Sequence, residues 1–172
     1  MGKTKNSGLG VGTSGSPQGS IVQNNVNIKI ENLIRKNMLK LLDIAGVKYN
    51  PDNVLFVIKD ISNQLIWLES GDENVGLFHI KARHSREFQE KYGIKSENIA
   101  EHLKSFITTG KLEYSIIVKK NGNEGYERLY SKNGKYYLLT GVGKNGFLVS
   151  AYPVKEKTAK TLIKRNAKWK KK

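Results

Sequence analysis

The apolar positions change rhythm along the chain. Between Asn27 and Ala45, Ile30, Leu33, Ile34, Met38, Leu41, Leu42 and Ala45 recur at steps of three and four. That spacing predicts an amphipathic helix packed on a core, with Gly46 just past its end. Lys29, Arg35, Lys36 and Lys40 fall mostly off the stripe. Tyr49-Asn50-Pro51-Asp52-Asn53 is turn chemistry. Val54–Ile58 then reads as a buried strand and Gln64–Glu69 as a second, short one. The polar loop Ser70–Asn74 leads into a helix from about Gly76 to Tyr92, broken by Gly93. Ser96 is the candidate N-cap of a further helix that carries Ile99, Leu103, Phe106 and Ile107 and stops at Gly110.

After Gly110 the period falls from near four to two. Leu112–Lys119, Tyr126–Ser131, Tyr136–Val142 and Gly146–Tyr152 read as four strands. The links Asn121-Gly122-Asn123, Asn133-Gly134 and Lys144-Asn145-Gly146 supply residues that tolerate positive φ, so the strands form an antiparallel meander. Helices followed by such a meander define an α+β fold, with the helices packed on a four-stranded antiparallel sheet.

The ends differ from this middle. Residues 1–20 are mostly Gly, Ser, Thr, Asn and Lys, which predicts a flexible leader, either a tether to something upstream or an addition. The expected organisation is this leader, a helical segment over 21–50, the main domain over 51–154 and a basic tail over 155–172. In the tail, Leu162, Ile163 and Trp169 are the only large apolar groups among many lysines, so either a helix or a loose arm is expected. No stretch approaches the roughly 20 apolar residues needed to cross a bilayer, and no membrane insertion is expected. The N-terminus also lacks the apolar run of a signal peptide.

Charge narrows the partner. Thirty Lys and Arg oppose 15 Asp and Glu, a formal net charge of +15. Such an excess attracts polyanions, nucleic acid first among them, and lysines on the tail suit phosphate neutralisation. A solvated basic surface with no polyanion partner is the plainer alternative. With no cysteine, disulfides and thiolate metal sites are excluded.

Two of the three histidines lie in one short stretch, Gly76-Leu77-Phe78-His79-Ile80-Lys81-Ala82-Arg83-His84. Metal-free RNA cleavage needs a base for the 2′-hydroxyl, an acid for the leaving 5′-oxygen and a cation for the phosphorane. Histidine suits the proton roles near neutral pH, and Arg or Lys suits the third. On a helix His79 and Arg83 share a face, and Arg86 extends it. His84 falls instead on the stripe of Leu77, Ile80 and Phe88, where it reads as a semi-buried, hydrogen-bonded residue. His102, between Ile99 and Leu103, reads as structural. Tyrosines of the sheet are ordinary strand residues or stacking platforms for unpaired bases. Thr140, Lys144, Asn145, Ser150 and Tyr152, around the last hairpin, are candidate donors to phosphate.

Other chemistries lack their signatures. The two histidines are five apart with no metalloprotease pattern, and there is no P-loop and no zinc-deaminase motif. Gly141-Val142-Gly143 has no helix after it, so it is not a dinucleotide fingerprint. Asp60 and Glu69 are a possible carboxylate pair of unfixed geometry. Neither a metal nor a cofactor is expected.

The segments Trp67-Leu68-Glu69-Ser70-Gly71, Gly76-Leu77-Phe78-His79-Ile80 and Arg83-His84 with Phe88 resemble a motif of bacterial polymorphic-toxin ribonuclease domains. Gly143-Lys144-Asn145-Gly146-Phe147-Leu148-Val149-Ser150-Ala151-Tyr152-Pro153 resembles the closing strand of the same domains. These are the C-terminal toxins of contact-dependent growth inhibition and related systems, in the barnase/EndoU/RelE-like superfamily. The resemblance spans roughly residues 50–154. It implies a metal-independent endoribonuclease, often aimed at transfer RNA and neutralised by an acidic cognate immunity protein. It implies delivery by secretion or from a cell surface as part of a larger toxin, and action in the cytoplasm of a target bacterium. A monomer, or a heterodimer with the immunity protein, is the state it implies.

The family's His-Ile-x-x-Arg-His pattern maps onto His79, Ile80, Arg83 and His84, so the resemblance treats the two histidines as a unit. Its hairpin Asn-Gly maps onto Asn145 and Gly146. Where related domains often have asparagine before proline, this chain has Tyr152 before Pro153. The expected catalytic set is therefore His79, His84, Arg83, Ser150 and Tyr152. The expected substrate-binding set is Lys81, Arg86, Thr140, Lys144 and Asn145. A non-enzymatic basic nucleic-acid-binding domain is the second reading, and a structural component docked on an acidic partner the third.

Overall fold

A computed structural model of the chain describes residues 18–168. In order, the elements are α1 (Gln18–Ile44), β1 (Val54–Lys59), β2 (Leu65–Glu69), α2 (Gly76–Tyr92), a 3-10 turn (Ser96–Asn98), α3 (Ile99–Thr109), β3 (Lys111–Lys120), β4 (Asn123–Lys132), β5 (Lys135–Val142), β6 (Ser150–Val154) and α4 (Glu156–Arg165). The fold is α+β, with helices followed by a four-stranded antiparallel sheet in the order β3-β4-β5-β6. The strands β1 and β2 form a separate antiparallel pair.

The chain divides into two units, 1–36 and 37–172. In the first, α1 begins at Gln18, nine positions before the expected start at Asn27, so the end of the expected leader is helical. Ile30, Leu33 and Ile34 were expected to face a core, but they are exposed, as are Ile21, Val22, Val26 and Ile28. Among the described residues of this unit no packed apolar surface is present to receive the stripe. The rest of the expected leader, residues 1–17, and Trp169 to Lys172 of the tail lie outside the described residues.

The second unit holds three apolar clusters. The last turns of α1 contribute Met38, Leu39, Leu41 and fully buried Leu42, which pack with Val54, Val57 and Trp67 of the hairpin. The largest cluster joins Ile80 and Phe88 of α2 and Ile99, Leu103, Phe106 and Ile107 of α3 to Leu112, Tyr130, Tyr137, Leu139 and Ala151 of the sheet. The opposite face of the sheet packs Tyr114, Leu129, Leu138 and Val154 against Ala159, Leu162 and Ile163 of α4. Part of the lysine-rich tail is therefore a third packed helix. Its apolar residues sit at steps of three and one, enough for one face, while its lysines stay outside.

The ends of α2 are set by backbone requirements. Gly93 takes a left-handed conformation (φ 67°) as the C-cap and donates to the Gln89 carbonyl. At the other end Gly71 and Gly76 meet so closely that a Cβ on Gly71 would lie 2.0 Å from the Val75 carbonyl oxygen. Both have positive φ, so the tight entry into α2 requires glycine twice. The Gly76 N–H then donates to the Val149 carbonyl at 3.1 Å, fixing the start of α2 beside the start of β6.

Candidate active site

Helix α2 lies along β6, the edge strand of the sheet. Lys91 Nζ donates to the Pro153 carbonyl at 3.0 Å, and Tyr92 Oη to the Val154 carbonyl at 3.2 Å. An edge strand leaves unpaired backbone acceptors, and these side chains cover them. The same docking brings His84 to Tyr152, with His79 on the other side of His84. His84 stacks on the Tyr152 ring at 4.7 Å between centroids, and His79 meets His84 edge-on at 6.5 Å.

Each histidine has one nitrogen fixed. His79 Nδ1 lies 2.8 Å from the Glu73 carbonyl oxygen. A carbonyl only accepts, so Nδ1 carries the proton and Nε2 is left as a base. His84 Nδ1 donates to Glu87 Oε1 at 2.9 Å, with the same consequence for its Nε2. Glu87 also accepts from Lys91 at 2.8 Å. Burial alone would raise the Glu87 carboxyl, but the hydrogen bonds from Lys91 and His84 outweigh it and hold the group below its ordinary range. Glu87 is thus an ionised orienting partner for His84. Sequence reasoning missed it, although the i,i+3 spacing from His84 on a helix was available as a signal.

Of the expected sheet residues, Tyr152 touches a histidine, and strand register shows which residues lie beside it on the face that Leu138 presents to α4. Thr140 pairs with Ser150 and Leu138 with Tyr152, so Thr140, Ser150 and Tyr152 share one face. Ser150 is buried and its hydroxyl has no hydrogen-bond partner. Tyr152 is pushed up from the ordinary tyrosine range by burial and then by Glu127 and Glu87, which keeps its hydroxyl protonated as a donor. Glu127 accepts from Tyr114 Oη at 2.8 Å. No local pattern in the sequence marks Glu127 as part of this neighbourhood; only the sheet register does.

The remaining expected residues divide. Arg83 is exposed on the same helical stripe as His79, four residues on, and makes no ion pair among the described residues. Arg86 is on that stripe too but is bound to Glu90 at 2.6 Å. Lys81, two residues from His79, lies on the other side of the helix. Lys144 and Asn145 are not with the histidines: they line a separate cavity with Gln64, Tyr126 and Arg128.

Two other possibilities are settled by geometry. Asp60 is buried and accepts from the Ser62 and Gln64 N–H groups and from Tyr130 Oη. Glu69 pairs with Val54 at the far end of the hairpin, about 20 Å along the strand from Asp60, so the two are no carboxylate pair. His102 bonds to Tyr137 Oη at 2.8 Å and sits amid Phe106 and Tyr137, in keeping with a structural residue. No group of His, Asp and Glu among the described residues has the geometry to hold a metal ion. No helix among them is long and apolar enough to cross a membrane.

No protein-family model matches this chain, and no curated protein matches it.

Proposed function

We propose that this chain is a metal-independent endoribonuclease that cleaves RNA by attack of a 2′-hydroxyl on the adjacent phosphorus. The observation that carries the reading is the His79–His84 pair, with each Nδ1 committed to an acceptor and each Nε2 open. In this reading His79 Nε2 takes the 2′-hydroxyl proton as the O2′–P bond forms. His84, in its imidazolium form and oriented by the Glu87 carboxylate, gives its proton to O5′ as the P–O5′ bond breaks. The products are a 2′,3′-cyclic phosphate and a free 5′-hydroxyl. Arg83 supplies positive charge to the phosphorane, and Tyr152, Ser150 and Thr140 line the sheet side of the site as donors.

The substrate class follows from the net charge of +15 and from the toxin resemblance, which favours transfer RNA. On the same basis the chain is the toxic part of a larger delivered protein, acts in the cytoplasm of a target bacterium and is held inactive by an acidic immunity protein. The test is incubation with total transfer RNA in EDTA. The proposal expects discrete fragments from the wild type and none from His79→Ala.

One observation favours a second reading, a basic nucleic-acid-binding module. A groove of about 490 Å³ runs along α4 between Glu156, Lys157, Lys160, Thr161 and Lys164, and among the described residues no histidine lines it. A shifted RNA band without fragments in the same EDTA assay would support that reading over the first.

A further inference from the structure

Arg128 is a buried cation that makes no direct ion pair among the described residues. It is 3% exposed, on the face of β4 that looks toward the β1–β2 hairpin. Its Nε donates to Ser115 Oγ at 3.2 Å and one Nη to Gln64 Oε1 at 2.7 Å, while the other Nη has no partner. Its guanidinium lies 5.0 Å from the centre of the Tyr126 ring. The other buried charge of the region, Asp60, is bonded to Tyr130 and two backbone N–H groups; it makes no direct ion pair with Arg128, and Tyr130 stands between the two. Buried charges are ordinarily paired, because desolvation outweighs what neutral hydrogen bonds return.

Arg128 also lines a cavity of about 250 Å³ with Gln64, Tyr126, Lys144 and Asn145. The amide oxygens there each accept one hydrogen bond from the protein. Gln64 Oε1 accepts from Arg128, and Asn145 Oδ1 accepts from the Phe147 N–H at 3.0 Å. Each offers its NH₂ group as a donor. Lys144 adds an ammonium, held at 2.9 Å by Glu124, which also binds Lys119 and so leaves the cluster cationic. The Trp67 indole N–H fixes the loop by donating to the Asn145 carbonyl at 3.1 Å. The polar part of the cavity wall is thus donors and cations, gathered around a guanidinium with no direct ion pair.

We infer that this cavity is a phosphate-binding subsite, distinct from the histidine pair, that takes a phosphodiester of the bound RNA. It explains why Lys144 and Asn145 are drawn away from His79 and His84, and it gives the enzyme a second grip on its substrate. The RNA identity of the ligand rests on the function proposed above; the phosphate chemistry does not.

The test uses the full chain and needs no cleavage. Thermal unfolding is followed with inorganic pyrophosphate, against sodium chloride of equal ionic strength, and binding of a non-cleavable oligodeoxynucleotide is measured in parallel. Gln64→Glu keeps the acceptor for Arg128 and adds the missing negative charge. The variant should be at least as stable as wild type without ligand and should lose the pyrophosphate-induced rise in melting temperature. Asn145→Asp, which keeps the bond to Phe147, should lose that rise as well. Both should weaken oligodeoxynucleotide binding about tenfold. An unchanged pyrophosphate response in the two variants would overturn the site. Loss of that response with unchanged oligonucleotide binding would overturn RNA as the ligand and leave free phosphate. Should His79→Ala still cleave RNA, the catalytic assignment fails while these binding results stand on their own.

Discussion

His84 lies on the ring of Tyr152, with 4.7 Å between centroids and 25° between planes. The stack joins a helix to an edge strand and sets the orientation of the His84 imidazole with an aromatic surface. It also separates two contributions of Tyr152, the ring and the hydroxyl. Tyr152→Phe keeps the first and removes the second. It should leave stability within about 0.5 kcal/mol and lower kcat about tenfold. Tyr152→Ala should cost about 2 kcal/mol and lower kcat further, because His84 loses its support. Urea unfolding and single-turnover cleavage distinguish these, and a fully active Tyr152→Ala variant would contradict the role of the stack.

Glu87 acts through His84. Glu87→Gln offers an amide N–H to His84 Nδ1, which favours the tautomer with its proton on Nε2 and removes the charge that stabilises the imidazolium. The rate should fall about 100-fold with little change in KM. Glu87→Asp, which keeps the charge, should recover part of the loss. If Gln and Asp variants fall equally, the role is packing and not orientation.

Ser150 has a buried hydroxyl without a partner. Removing it relieves the cost of burying an unmatched polar group, so Ser150→Ala should be as stable as wild type or up to about 1 kcal/mol more stable. If the hydroxyl meets the substrate phosphate, the same variant should cleave RNA more slowly. Greater stability with lower activity is the expected pair of results, and a stable variant of unchanged activity would remove Ser150 from the site.

Acid should weaken the fold through His102. Burial, then Lys135 and Lys132, lower this histidine from the ordinary imidazole range. In the unfolded chain it titrates near its usual value of about 6.5. Between the two values the unfolded chain binds the extra proton, so stability is full above about pH 6.5 and is lost as pH falls toward the folded value. His102→Gln should flatten that part of the profile. Urea midpoints that fall in parallel for wild type and His102→Gln across this window would contradict it.

Elements governed by local chemistry were legible in the sequence. The span of α2 follows from Gly76 and Gly93, and the two meander turns follow from Asn121-Gly122 and Asn133-Gly134, all four of which have positive φ. What depends on distant partners was less so. The stripe of Ile30, Leu33 and Ile34 has helical period, but period cannot say whether a surface exists to bury it. The tail forms α4 because Leu162 and Ile163 find Tyr114, Leu129 and Leu138 across the sheet, a contact that no local window contains. The site divides in the same way. Spacing on one helix put His79 and Arg83 on one face and His84 on the packing stripe, whereas the placing of Lys144 and Asn145 in a cavity with Arg128 depends on a hairpin about 80 residues away in sequence.

The most direct measurement is cleavage of total transfer RNA in EDTA by wild type, His79→Ala and His84→Ala, each first shown to be folded by circular dichroism. Acid–base roles of this kind contribute about 100- to 10,000-fold, so both variants should lose cleavage by at least about 100-fold while keeping their melting temperatures near wild type. Discrete fragments from either variant at the wild-type rate would contradict the account.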